Sequence, residues 1–168
     1  DKIFKLKDSH KLLVSDASRL ALIIGVDAYD SNDLEPLPAC RTAAQDLSQL
    51  LSDPKLGYTM FGNSPIIGSE LAKDGFRWVK VRDAIFDFFD QAKPSQTLLF
   101  YFSGHGLHGE NEIYLATPEV DTKVPSKRGF TLSQLTRCMA SSKSKQIVGI
   151  IDACYSGATD LPSSLKSK

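Results

Sequence analysis

The sequence predicts an α/β fold on a mostly parallel sheet, and three observations point there. Three apolar runs, Leu20–Val26, Thr97–Phe102 and Gln146–Ile151, have the continuous character of strands buried on both faces. Between and beside them, Cys40–Leu51, Val81–Ala92 and Thr131–Ala140 space their apolar residues at helical intervals. The 168 residues, 42% hydrophobic and 24% charged, suit one domain with one core.

Taken in order, residues 1–18 mix polar and apolar residues and read as an arm or an edge strand. Leu20–Val26 is the first buried strand. Asp27–Pro38 is a polar loop with two prolines. The helix over Cys40–Leu51 is stopped by Ser52-Asp53-Pro54. Gly57–Trp78 is rich in Gly, Ser and Pro, and predicts one short strand within a surface loop. The Val81–Ala92 helix ends before Pro94. Thr97–Phe102 is the second strand, followed by a Ser103-Gly104-His105-Gly106 turn and a short hairpin strand over Glu112–Ala116. The Thr131–Ala140 helix carries Leu132, Leu135 and Met139 on one face. Gln146–Ile151 is the third buried strand, with Asp152-Ala153-Cys154 after it. Gly157–Lys168 is Ser- and Lys-rich.

Composition excludes several classes. Twenty basic residues balance twenty acidic ones, so the basic excess of a nucleic-acid binder is absent. The apolar runs fall far short of the roughly 20 residues that a membrane helix needs. The charged opening residues form no signal peptide. Cys40, Cys138 and Cys154 are odd in number and lack CxxC spacing, which argues against a disulfide framework or a structural zinc. A reducing, cytoplasmic setting follows as an expectation. The sequence does not begin with Met and reads as a piece of a longer product.

Chemistry concentrates at the carboxyl ends of the strands, where α/β sheets place their ligands. His105 follows one strand and Cys154 another. A nucleophilic Cys needs a base or imidazolium beside it. Singly, each has an ordinary reading, a turn histidine and a small buried hydrophobe; paired at one sheet edge, they favour catalysis. Gly104–Gly109 matches G-x-G-x-x-G, but the sequence after it is strand-like, so the match is fortuitous and His108 is a solvated turn histidine. Asp152 lies two residues before Cys154 and shares its face on an extended chain. Asp46, within the first helix, reads by itself as an exposed helix acid. Three scattered His and three Cys without HExxH make a metal hydrolase unsupported. Asp27, Asp30, Asn32 and Asp33 form an acidic loop without EF-hand spacing, so calcium there is left open and without support.

Ala21-Leu-Ile-Ile-Gly-Val26, Leu37-Pro38 with Ala44-Gln45-Asp46-Leu47, Phe100-Tyr-Phe-Ser-Gly-His-Gly106 and Ile151-Asp-Ala-Cys-Tyr-Ser-Gly157 occur in this order. Together they resemble the caspase-like cysteine peptidases, within their metacaspase, paracaspase and orthocaspase branch. The resemblance implies the caspase-hemoglobinase fold, with Cys154 as nucleophile and His105 as general acid and base. It implies an oxyanion hole from the backbone N–H groups of Gly106 and Cys154. It also implies that Asp46 and Asp152 line S1, so cleavage follows Arg or Lys. Two carboxylates in one partly desolvated pocket would take a guanidinium bidentately and reject an acidic P1 residue. The chemistry requires no cofactor. Tyr155 departs from the His often found at that position in the family.

The resemblance covers residues 20–157 and lacks the strands of the family's small subunit. The expected organisation is an arm over 1–18, the large-subunit catalytic domain over 19–157 and an intersubunit linker over 158–168. The expected partners are that small subunit, regulatory domains and peptides with basic P1, with neither nucleic acid nor membrane. Maturation by linker cleavage makes Lys166 and Lys168 candidate sites. A catalytically idle docking module and a redox-sensing thiol protein are the rival readings.

Overall fold

The computed structural model describes residues 18–109 and 111–155, the last two by backbone alone. The expected arm over residues 1–17 and the linker with Lys166 and Lys168 lie outside the described residues.

The first apolar run forms β1 (Arg19–Gly25), buried from Leu20 onward. Its alternate residues serve two cores. Leu20, Leu22 and Ile24 enter one with Val81, Ile85, Phe88, Phe89, Phe100 and Phe102. Ala21 and Ile23 enter the other with Ala44, Leu51, Leu99 and Tyr101. Helix α1 (Pro38–Leu51) opens on a proline, whose missing N–H costs nothing in a first turn. It buries Cys40, Ala44, Ser48 and Leu51. It lies so close to β1 that a Cβ at Gly25 would come 2.6 Å from the Cys40 carbonyl oxygen.

Short strands β2 (Thr59–Met60) and β3 (Ile66–Ile67) both pair parallel with β1. The expected single strand is therefore two. Helix α2 (Arg77–Asp90) starts earlier than the apolar spacing predicts, because its first buried residue is Arg77, a charge held by ion pairs. Strand β4 (Thr97–His108) pairs parallel with β1 and then antiparallel with β5 (Ile113–Leu115), the expected hairpin. A two-residue β6 (Phe130–Thr131) leads into α3 (Leu132–Ser141). There Thr131 and Gln134 form a capping box. Strand β7 (Gln146–Tyr155) pairs parallel with β4.

The described residues thus make a mixed seven-stranded sheet in the order β2-β1-β4-β5-β6, with β3 also on β1 and β7 on β4. Two expectations need correction. First, His105 and Cys154 do not follow their strands in turns; both lie within them, because β4 runs to His108 and β7 to Tyr155. Apolar character stops at Phe102, but backbone pairing continues where β5 and β7 supply partners. Second, β7 is not buried on both faces. Val148 is 48% and Ile150 41% exposed, on the sheet face that α1 covers over β1, β3 and β4.

Candidate active site

The register of β4 against β7 builds the site. Ser103 pairs with Asp152, Gly104 with Ala153, His105 with Cys154 and Gly106 with Tyr155. Two adjacent parallel strands thereby bring the sequence-predicted His and Cys to one level of the sheet. Gly106 sits between β5 and β7, paired with both. The backbone of Cys154 lies within β7, one residue before its end.

His105 is only 9% exposed, and its imidazole is held at one end. Nε2 lies 2.9 Å from the Glu35 carbonyl oxygen. A carbonyl only accepts, so the hydrogen-bond network assigns the neutral ring's proton to Nε2. Nδ1 is buried and has no hydrogen-bond partner among the described residues. A neutral imidazole so held keeps its second, basic nitrogen uncommitted among the described residues, as a general base requires. The His105 ring also packs against Tyr29, with centroids 5.1 Å apart. Neither Tyr29 nor Glu35 was singled out by the sequence. A loop residue's ring and a backbone carbonyl leave no spacing pattern to find.

Asp152 is exposed at the end of the same ladder. Its Oδ2 accepts from the Ser103 hydroxyl at 3.2 Å and the Tyr101 hydroxyl at 3.3 Å. Burial, with the Asp152 charge adding to it, pushes the Tyr101 phenol above its ordinary value, so it remains a neutral donor. Ser103 and Tyr101, buried strand residues, are site members that sequence reasoning missed; the alternation of β4 places both on the Asp152 side.

Asp46 is placed differently. It is exposed, and α1 turns Cys40, Ala44, Ser48 and Leu51 inward on the opposite side of the helix. No hydrogen bond or ion pair among the described residues joins it to Asp152. Asp152 is thus one exposed carboxylate fixed by two hydroxyls, and Asp46 is a second on the outward side of α1. The acids of the 27–33 loop diverge. Asp27 accepts from the backbone and hydroxyl of Ser69, Asp30 pairs with Arg77, and Asp33 accepts from Thr122. Among the described residues, no group of three or more His, Cys, Asp or Glu is gathered to hold a metal ion. The Gly104–Gly109 segment runs from β4 toward β5, without the helix a dinucleotide site needs. His108 closes β4 half-buried, rather than standing in a solvated turn. No helix among the described residues is long and apolar enough to cross a membrane.

Comparison with known proteins places this architecture. No curated protein sequence matches the chain. A solved structure of protein GSU0716 from Geobacter sulfurreducens superposes with a TM-score of 0.53 at 15% identity, covering 84% of this chain and 52% of that one. The likeness concerns the fold, and the chain spans about half the length of that protein. The sequence model of the caspase domain family matches residues 18–167, which contain β1, the His105 strand and the Cys154 strand. By that match the chain belongs to the caspase domain family, a family of cysteine peptidases.

Proposed function

We propose that the chain is the large-subunit part of a cysteine endopeptidase that cleaves after Arg or Lys. One observation carries the reading. A buried His105 has its Nε2 committed to the Glu35 carbonyl, its Nδ1 without a hydrogen-bond partner among the described residues, and its backbone paired with that of Cys154. In this mechanism His105 takes the Cys154 thiol proton at Nδ1, and the thiolate attacks the scissile carbonyl, forming an acyl-enzyme as the amine leaves. His105 protonates the leaving amine, then takes a proton from the water that hydrolyses the thioester. The N–H groups of Gly106 and Cys154 serve as oxyanion donors, each worth about 2.7–4 kcal/mol in such sites. The chemistry requires no cofactor.

Asp152 selects the basic P1 residue, held toward it by Ser103 and Tyr101. Asp46 belongs to this pocket on the resemblance alone. A small subunit completes the sheet beyond β7, where Val148 and Ile150 stand exposed. Cleavage in the 158–168 segment, at Lys166 or Lys168, accompanies activation in a cytoplasmic setting.

The test uses the full protein. Cys154→Ala and His105→Ala each abolish hydrolysis of Arg-P1 peptides, the two acting as a unit. Cys154→Ala retaining more than about a tenth of kcat/KM, a loss under about 1.4 kcal/mol, would refute the mechanism. An Asp-P1 peptide emerging as the best substrate would refute the pocket. Fragment masses from the precursor, with and without Cys154, decide autoprocessing. The idle docking module predicts no Cys154-dependent turnover; the redox thiol predicts alkylation of Cys154 without hydrolysis.

A further inference from the structure

The loop between β1 and α1 meets His105 on two sides. From its far end comes the Glu35 carbonyl at Nε2; from its near end comes Tyr29. The position of the Tyr29 hydroxyl follows from the ladder. Val26 donates its N–H to the Ser103 carbonyl at 2.8 Å, the last direct rung between these two strands. In a parallel pair the next rung would run from the His105 N–H to the Val26 carbonyl. Instead the His105 N–H donates to Tyr29 Oη at 2.9 Å, and that hydroxyl donates to the Val26 carbonyl at 3.0 Å. A side chain is inserted into the sheet rung at the catalytic residue itself.

We propose that Tyr29 is a positioning residue for His105, and that buried Arg77 anchors the loop that carries it. The proposal rests on the reading of His105 as the catalytic base. The inserted hydroxyl sets the separation between the end of β1 and the His105 backbone, while the Tyr29 ring sets the tilt of the imidazole, 50° between planes. Gly104 leaves the space this needs, since a Cβ there would come 2.9 Å from Tyr29 Oη. Burial pushes the Tyr29 phenol well above its ordinary value, so the group stays a neutral donor and acceptor. The loop is closed by Leu37 N–H to the Asp27 carbonyl at 2.9 Å. Its Asp30, next to Tyr29, pairs with Arg77, and its N–H bonds the Pro118 carbonyl at 2.9 Å. Arg77 is 2% exposed and is fixed on its other side by Glu119, Nε to Oε1 3.2 Å.

The test compares Tyr29→Phe, Asp30→Ala and Asp30→Asn with the wild type in the full protein. Tyr29→Phe keeps the ring but empties the rung. It is expected to lower kcat about tenfold with KM within about twofold, because one neutral hydrogen bond's worth of placement is lost. The 15N shifts of His105 are expected to change from a single Nε2–H tautomer to a mixture. Asp30→Ala lowers kcat about threefold, and Asp30→Asn, which can still bond Arg77, restores most of it. Unchanged kcat and unchanged tautomer in Tyr29→Phe would overturn the positioning role. Equal behaviour of the two Asp30 variants would overturn the Arg77 anchor. Should Tyr29→Phe fail to fold, the Asp30 pair still decides, because Asp30 is half-exposed and Arg77 keeps Glu119 as a partner without it. A wild type with the single tautomer, lost in Tyr29→Phe, but with no Cys154-dependent hydrolysis would support positioning and refute the peptidase reading instead.

Discussion

Asp152 is exposed, and an exposed carboxylate on its own attracts a cation only weakly through water. The Ser103 and Tyr101 hydroxyls change that by fixing one oxygen and leaving the other for a ligand. Asp152→Asn keeps an acceptor for both hydroxyls and removes the charge. It is expected to lower kcat/KM for an Arg-P1 peptide by about ten- to hundredfold, the range for losing a charge-assisted bond, and to affect a neutral P1 peptide less. Asp46→Ala, on the outward side of α1 and without the two fixing hydroxyls, is expected to lower the same preference less, by about two- to fivefold. Matched P1 peptide series on both variants check this. No loss in Asp46→Ala would remove Asp46 from the pocket.

At the scale of elements, β7 is the strand whose surroundings are unequal. Ile147 and Ile151 pack on the core beneath α2 and α3, while Val148 and Ile150 face outward beside α1. Exposed apolar strand edges invite pairing. Ile150→Lys in the 168-residue chain is expected to move the urea midpoint within the equivalent of about 0.5 kcal/mol. In the full protein it is expected to weaken the large–small subunit association at least about tenfold, since a charge replaces buried apolar surface. Analytical ultracentrifugation of the processed form measures the second effect; unchanged association would remove this face from the interface. The same strand shows what the sequence could carry. Its apolar run reports that both faces favour cover, but not which part of the protein covers them. The end of α1 was legible because the Ser52-Asp53-Pro54 stop is local chemistry; its start at Pro38, two residues before the first apolar position, was not. The full reach of β4 was not, because Ser103–His108 continues a strand by backbone pairing rather than by hydrophobicity. His105 and Cys154 were legible as motif residues at strand ends. Tyr29, Glu35 and Arg77 were not, because each acts through a contact that exists only once a loop has folded back.

Across the whole molecule the two sides of the sheet do different work. Beneath α2 and α3, Phe61, Phe88, Phe89 and Phe100 stack edge to face or tilted, with successive centroids 5.3, 5.0 and 5.9 Å apart. Such rings carry much of a domain's buried apolar area. On the other side, α1 and the loop before it bring the Glu35 carbonyl to His105, while Tyr29 of that loop reaches His105 and also packs against the aromatic core. Stability and site geometry are therefore expected to separate. Phe88→Ala, in the aromatic core, is expected to cost about 3–5 kcal/mol in a urea melt, with kcat per folded molecule unchanged. Gly25→Ala brings a methyl to 2.6 Å from the Cys40 carbonyl oxygen and 2.8 Å from the Ala44 Cβ, so α1 must shift. Overpacking of that kind costs about 1–3 kcal/mol. The shift, however, is passed directly to the loop that ends at Leu37, and with it to the Glu35 carbonyl. Gly25→Ala is thus expected to be the milder variant in the melt and the more damaging one in kcat, normalised by active-site titration. Parallel losses of stability and kcat in the two variants would show that the two faces act as one unit instead.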